Sequence, residues 1–197
     1  MNIIITRHGQ TDWNISGKFQ GQTNIELNEV GKAQAHETAV SLKNEHIDLI
    51  FCSTLNRAIE TAEIINEFHN VPIYKDDRLN ERYLGIVEGA NRDDFVSLKQ
   101  KFPKLADSLK LIYDGDVADV ERKSTFMGRI YDFLDEIIKK YSGKNILVVT
   151  HAGVTVPIQA YFEKDNSLDL SNAKRLGNCE VIKYEVWNIK KDGSFNF

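Results

Sequence analysis

The chain has little cysteine and no metal-binding cysteine or histidine spacing. Only Cys52 and Cys179 occur among its 197 residues. Two isolated thiols in a chain of this length do not make a disulfide framework, and they fit a reducing compartment. Neither a CxxC nor an HExxH spacing is present, so a zinc site has little support. We therefore expect a cytoplasmic protein with no bound metal or other cofactor.

Long apolar runs and an excess of positive charge are also missing. No apolar run approaches the roughly 20 residues that a membrane helix needs. The start, Met1-Asn2-Ile3-Ile4-Ile5, lacks the basic and long apolar regions of a signal peptide. The formal net charge is -4, from 25 Lys and Arg against 29 Asp and Glu, which disfavours a broad basic surface. The sequence predicts neither a nucleic-acid partner nor a membrane partner.

What the sequence does contain is an alternation of short apolar runs with helical patterns. One domain over residues 1–197 is the default, because domains typically contain about 100–200 residues. The apolar spacing predicts strands at 2–6, 48–52, 71–74 and 145–150. It predicts helices at about 31–44, 55–68, 124–141 and 153–162, with Ser53 as the N-cap of the second helix.

The order of these elements predicts an α/β fold. Repeated strand–helix units imply a mostly parallel sheet that is covered by helices on both faces. Residues 180–189 alternate in the manner of an antiparallel addition at the sheet edge, and Asp192-Gly193 offers a hairpin turn. Residues 86–123 have the least regular pattern and are predicted to form a short lid insertion over the sheet.

Four polar segments have a composition that suits one chemical site. They are Arg-His-Gly at 7–9, Ser-Thr-Leu-Asn-Arg-Ala at 53–58, Leu-Asn-Glu-Arg-Tyr-Leu-Gly at 79–85 and Thr-His-Ala-Gly at 150–153. Three of them follow predicted strands, and ligands bind at the carboxyl ends of strands in open α/β sheets. Together they supply three arginines, two histidines and a carboxylate.

This set of side chains fits transfer of a phosphoryl group. Arginines neutralise the charge on the phosphoryl oxygens in the transition state. A histidine can attack the phosphorus, and a glutamic acid can protonate the leaving oxygen. If cationic side chains surround the phosphate, no Mg²⁺ is required, and we expect none.

The four segments also carry sequence motifs of a known family. RHGQTDWN at 7–14 matches RHGxTxWN, and SxLxRAxxTA is present at 53–62. LNERYLGIVEG at 79–89 resembles LxExxxGxxEG, and VVTHAG stands at 148–153. By these motifs the chain resembles the histidine phosphatase superfamily, in the branch of cofactor-dependent phosphoglycerate mutases and their phosphatase relatives. The resemblance spans nearly the whole chain and implies a three-layer α/β/α sandwich with one antiparallel strand.

The resemblance implies catalytic roles by position. His8 is expected to be the nucleophile that forms a phosphohistidine. Arg7, Arg57 and His151 are expected to hold the phosphate. Glu81 is expected to act as the general acid in the first step and as the base that activates water in the second.

Further positions are implied as substrate contacts. Asn14 adds a side-chain donor to the phosphate, Gln20 lies at the pocket wall, and Gly21 and Ala152 accompany the matched motifs. Arg82 either binds an acidic group of the substrate or pairs with a carboxylate.

Other positions in the motifs have a structural interpretation or depart from the family pattern. Spacing assigns the catalytic carboxylate to Glu81, and Glu88 is expected to hold the loop. Asn24 replaces a frequent aspartate and Asn28 a frequent threonine, so the contacts of this loop differ from the family pattern.

Three functions remain open on the sequence. The first is metal-independent hydrolysis of a small phosphomonoester. The second is a 2,3-bisphosphoglycerate-dependent phosphoglycerate mutase. The third is a non-catalytic relative that binds phosphate ligands, which is disfavoured because every expected catalytic residue is present. The short insertion and the Glu88-Gly89 pair, where mutases usually have Gln-Gly, favour a phosphatase. The expected partner is a small phosphorylated metabolite, and the chain is expected to be a monomer or a homodimer.

Overall fold

A five-stranded sheet forms the centre of the fold. Its strands are β1 (Asn2–Arg7), β2 (Leu49–Cys52), β3 (Ile73–Lys75), β4 (Asn145–Thr150) and β5 (Val181–Glu185). They lie in the order β3-β2-β4-β1-β5. The first four are parallel, and β5 pairs with β1 in the antiparallel direction. The predicted sheet, mostly parallel with one antiparallel edge strand, is confirmed.

The computed structural model describes residues 1–91, 100, 119–164, 174–189 and 195–196. Its helices are α1 (Asp12–Ile15), α2 (Glu29–Leu42), α3 (Asn56–Asn66), α4 (Lys123–Lys140) and α5 (Ala152–Glu163). Among the described residues, no helix combines the length and the apolar character that crossing a membrane requires.

The helices cover both faces of the sheet, because side chains alternate along each strand. Ile3 and Ile5 of β1 point to the face that α4 and α5 cover, where they pack with Phe126 and Ile158. Ile4 points to the opposite face and packs in the cluster that includes residues of α2 and α3. The fold is therefore a three-layer α/β/α sandwich, as the sequence predicts.

The start of α3 differs from the prediction. The cap position is Leu55, which makes no side-chain cap hydrogen bond. Instead Asn24 Oδ1 accepts a hydrogen bond from Asn56 N at 2.8 Å. The prediction that Ser53 is the N-cap is wrong, because the Ser53 hydroxyl is fully buried and bonds to Asn80. The two asparagines that depart from the family pattern both cap helices, since Asn28 is the N-cap of α2.

The lid prediction can be followed only at its two ends. Residues 92–99 and 101–118 lie outside the described residues. At one end Asn91 bridges to Lys18, and at the other Glu121 N donates to Tyr83 O at 2.9 Å. One end is therefore anchored at Lys18, and the other at the loop that carries Glu81. The predicted C-terminal hairpin has antiparallel strands β6 (Trp187–Ile189) and β7 (Phe195–Asn196), and its turn lies outside the described part.

Candidate active site

A cavity of about 230 Å³ lies at the carboxyl ends of the central strands. Nine of the ten predicted site residues line it: Arg7, His8, Asn14, Gln20, Gly21, Arg57, Glu81, Arg82 and Ala152. Segments that are far apart in sequence meet here because β1, β2 and β4 are adjacent parallel strands. Their carboxyl ends therefore fall at the same edge of the sheet.

The charge of this cavity favours an anion. Within the described part of the chain, four arginines and a single carboxylate contribute to its lining: Arg7, Arg57, Arg82, Arg175 and Glu81. Guanidinium groups bind phosphate and carboxylate oxygens through charge-assisted hydrogen bonds. No group of three or more His, Cys, Asp or Glu side chains among the described residues is arranged to hold a metal ion.

His8 is held in the protonation state of a nucleophile. Its side chain is buried, and Nδ1 lies 2.7 Å from the carbonyl oxygen of Gly9. A carbonyl oxygen can only accept, so Nδ1 carries the proton and Nε2 has the lone pair. Burial lowers the pKa of His8 well below its ordinary value of 6.5, and the charges of Arg57 and Arg7 act in the same direction. His8 is therefore neutral at neutral pH.

Arg57 is fixed by three hydrogen bonds. Its Nη1 donates to Thr23 O at 2.9 Å and its Nη2 to Gly21 O at 2.8 Å. Its Nε donates to His151 Nδ1 at 3.2 Å. Burial lowers the pKa of Arg57 to about 10, although two nearby carboxylates oppose the shift. Arg57 therefore remains cationic at neutral pH in a fixed orientation.

His151 lies next to these residues but outside the lining of the cavity. It is fully buried, and its ring centroid is 5.1 Å from that of His8. Nε2 lies 2.7 Å from Ser53 Oγ. Burial lowers the pKa of His151 well below 6.5, and the positive charges of Arg57 and other nearby arginines act in the same direction. Direct contact of His151 with phosphate stays a prediction.

Glu81 is oriented by two backbone donors. Its Oε1 accepts from Arg82 N at 2.9 Å, and its Oε2 accepts from Gly153 N at 3.0 Å. Gly153 belongs to the first turn of α5, where the helix dipole stabilises a carboxylate. A Cβ at position 153 would lie 2.2 Å from Glu81 Oε1. A side chain at position 153 would therefore displace the Glu81 carboxylate, which packs against the glycine.

Glu88 has the contacts of a residue that holds a loop. Its Oε1 accepts from Gln22 N and Leu84 N, each at 3.0 Å. Its Oε2 accepts from Thr23 N at 2.8 Å. The Glu88 carboxylate thus ties residues 22–23, which adjoin the carbonyls that fix Arg57, to the loop that carries Glu81. This agrees with the structural role predicted for Glu88.

Asn14 and Arg82 are also partly engaged by the protein itself. Asn14 Oδ1 accepts from Thr11 N at 3.0 Å at the start of α1, which leaves its Nδ2 as the predicted donor. Arg82 is 3% exposed, and its Nε donates to the backbone oxygen of Glu121 at 2.8 Å. Its guanidinium carbon lies 6.0 Å from the ring centroid of Phe126. Both side chains line the cavity in positions set by neighbouring elements.

The sequence reasoning missed several lining residues. They are Phe19, Leu84, Phe126, Gly153, Arg175, Leu176 and Gly177. Phe126 comes from α4, and residues 175–177 come from the segment before β5. Arg7 Nη1 donates to Leu176 O at 3.1 Å, which brings that segment to the cavity. Its one sequence signal is the neighbouring Asn178, whose Nδ2 donates to His8 O at 2.9 Å.

Comparison with known proteins agrees with this geometry. The profile of the histidine phosphatase superfamily (branch 1) matches residues 3–192. A Bacillus subtilis (strain 168) protein named uncharacterized phosphatase PhoE is 34% identical, over 95% of this chain and 92% of its own length. Phosphoserine phosphatase 1 of Hydrogenobacter thermophilus is 30% identical, over 97% of this chain and 88% of its own length.

A solved structure matches the fold of this chain, and further relatives have mutase names. The structure of Bacillus stearothermophilus YhfR superposes with a TM-score of 0.85 at 29% identity, covering 99% of this chain and 94% of the other. Other relatives, at 25–29% identity, are named 2,3-bisphosphoglycerate-dependent phosphoglycerate mutase. The fold and these relatives are those of an enzyme of the phosphatase and mutase type. The chain belongs to the histidine phosphatase superfamily.

Proposed function

We propose that the protein hydrolyses a small phosphomonoester without a metal ion, through a phosphohistidine on His8. The observation that carries this proposal is the meeting of His8, Arg7, Arg57 and Glu81 in one cavity. His8 supplies a neutral nitrogen lone pair, the arginines supply positive charge, and Glu81 supplies the acid and base group.

In the first step His8 Nε2 attacks the phosphorus of the bound ester. The P–N bond forms as the bond between phosphorus and the ester oxygen breaks. Glu81, protonated at this stage, gives its proton to the leaving oxygen, so the product leaves as a neutral alcohol. Arg7 and Arg57 balance the negative charge that spreads over the phosphoryl oxygens.

In the second step water replaces the alcohol. The Glu81 carboxylate takes a proton from water while the water oxygen attacks the phosphorus of the phosphohistidine. The P–N bond breaks, inorganic phosphate leaves, and both His8 and protonated Glu81 are restored. The backbone donors on Glu81 keep its carboxylate in place between the two steps.

Hydrolysis is favoured over the mutase reaction by the sequence beside the cavity. Glu88 occupies the position where mutases usually have glutamine, and its carboxylate accepts backbone hydrogen bonds from both neighbouring loops. A mutase would return the phosphoryl group to a substrate oxygen instead of to water.

A panel of phosphomonoesters tests the proposal. It includes phosphoserine, which the name of one relative suggests, and 3-phosphoglycerate. Each assay follows phosphate release and isomerisation, with and without 2,3-bisphosphoglycerate, and the variant His36→Ala serves as a surface control. We expect phosphate release that is independent of 2,3-bisphosphoglycerate. Isomerisation that is faster than release and depends on 2,3-bisphosphoglycerate would instead identify a mutase.

A further inference from the structure

A buried chain of hydrogen bonds connects Asn80 to His151 through Ser53. Asn80 Oδ1 lies 2.7 Å from Ser53 Oγ, and Ser53 Oγ lies 2.7 Å from His151 Nε2. Ser53 and His151 are fully buried, and Asn80 is 9% exposed. Ser53 and Asn80 lie outside the lining of the cavity, whereas their partner His151 contacts Arg57, which belongs to that lining.

The orientation of the Asn80 amide follows from its backbone partner. Thr54 N donates to Asn80 Oδ1 at 2.9 Å. A backbone N–H can only donate, so the side-chain atom that faces it is the oxygen. Ser53 Oγ faces the same oxygen and must therefore donate its own proton to it. The single hydroxyl proton of Ser53 is thereby committed to Asn80.

The position of the proton on His151 follows in turn. Since Ser53 Oγ has no second proton, it can only accept from its other partners, Leu55 N at 3.2 Å and His151 Nε2. His151 Nε2 therefore carries a proton. Arg57 Nε donates to His151 Nδ1, which requires a lone pair there. The neutral Nε2–H tautomer satisfies both contacts, and it is the opposite of the Nδ1–H tautomer of His8.

We propose that Ser53 and Asn80 are positioning residues that hold the proton of His151 on Nε2 and thereby keep Arg57 oriented toward the cavity. With the opposite tautomer, His151 Nδ1–H and Arg57 Nε–H would be two donors facing each other. Arg57 would then lose one of its three fixed contacts. The consequence for catalysis rests on the proposed function, but the assignment of the proton does not.

The surroundings of His151 make this tautomer observable. The charged and titratable groups that face it are Arg57 from α3, Arg7 and His8 from the end of β1, and Arg129 from α4. All of them disfavour an imidazolium. His151 is therefore neutral at neutral pH, where the two tautomers have distinct ¹⁵N chemical shifts.

Long-range ¹H–¹⁵N NMR on the uniformly ¹⁵N-labelled full chain tests the proposal. The His151 signal is assigned by its loss in His151→Gln. We expect the Nε2–H tautomer in the unaltered protein. In Ser53→Ala, we expect signals of mixed tautomers and a fall in kcat/KM of roughly 10–100-fold, the range found when the partner that orients a metal-bound histidine is removed. The control Thr54→Val removes the hydrogen bond from Thr54 Oγ1 to Asn80 Oδ1 and is expected to change neither the tautomer of His151 nor kcat/KM.

A second variant, Asn80→Asp, tests the role of Ser53 and Asn80 in placing the His151 proton if Ser53→Ala does not fold. Asn80→Asp keeps an acceptor for Ser53 and adds a negative charge at the end of the chain. It is expected to preserve the Nε2–H tautomer and to raise the pKa of His151 in the same NMR experiment. An Nδ1–H tautomer in the unaltered protein, an unchanged tautomer in Ser53→Ala, or an unchanged pKa in Asn80→Asp would overturn the proposal. Because the tautomer is read without substrate, failure to hydrolyse phosphomonoesters would refute only the proposed function.

Discussion

Replacement of Gly153 by alanine is predicted to impair catalysis by displacing Glu81. The new Cβ would lie 2.2 Å from Glu81 Oε1 and 3.1 Å from its Cδ. Ordinary van der Waals contact begins at 3.4 Å, so the carboxylate must move by about 1.2 Å. A misplacement of about 1 Å costs roughly 10²-fold in rate, which corresponds to about 2.7 kcal/mol of transition-state stabilisation.

The fold is expected to survive this replacement. Alanine is favoured over glycine inside helices by up to about 1 kcal/mol, which offsets part of the local strain. Gly128 in α4 provides a matched control, because a Cβ added there meets nothing within 4 Å. Steady-state kinetics on a phosphomonoester and thermal unfolding would be measured for both variants. Gly128→Ala should keep full activity, and full activity in Gly153→Ala would show that catalysis does not depend on this position of the Glu81 carboxylate.

Three further predictions follow from the same contacts. Glu81→Gln should slow the chemical step by roughly 10²–10⁴-fold, seen in single-turnover kinetics, and a negligible effect there with a large one in Glu88→Gln would show that Glu81 is not the acid. Because the pKa values of His8 and His151 are lowered from 6.5, the unfolded chain binds protons first as the pH falls. The free energy of unfolding should therefore decrease below about pH 6.5, by about 1.4 kcal/mol per pH unit for each histidine. Denaturant titrations at several pH values should show that the free energy of unfolding of His8→Ala falls less steeply with decreasing pH. EDTA should not lower phosphomonoester hydrolysis, tested beside a Mg²⁺-dependent phosphatase; inhibition that added metal reverses would contradict the metal-free mechanism.

The sheet and its layers could be predicted because their signal is local. The apolar run at 3–5 and the apolar run at 146–149 are buried on both sides, which is typical of parallel strands between helices. The spacing of Phe126, Ile130, Phe133 and Ile137 likewise predicted the buried face of α4, and all four are buried in one cluster. Such patterns need no knowledge of distant contacts.

The errors arose where a side chain is used by a distant segment. Ser53 has the residue type and position of an N-cap, but its hydroxyl forms hydrogen bonds with Asn80 and His151. Asn24, more than 30 residues earlier, caps α3 in its place. Local propensity cannot reveal which distant residues will form hydrogen bonds with a serine hydroxyl, because that depends on the order of the strands in the sheet.

The candidate site was predictable in its charged residues and less so in its walls. Motif spacing identified His8, Arg57 and Glu81, which line the same cavity. The part contributed by Phe126 and Arg175 depends on how α4 and the segment before β5 pack over the strand ends. The protonation of His8 likewise depends on a single contact with the Gly9 carbonyl, which no sequence pattern specifies.

Trapping of the phosphorylated enzyme tests whether His8 forms a phosphohistidine during the reaction. The protein would be mixed with a ³²P-labelled phosphomonoester, quenched within one turnover, and mapped by peptide mass spectrometry. We expect an acid-labile phosphate on His8 that is absent from His8→Ala, a variant that we expect to fold but not to turn over substrate. Phosphate on another residue, or full phosphatase activity in His8→Ala, would contradict it.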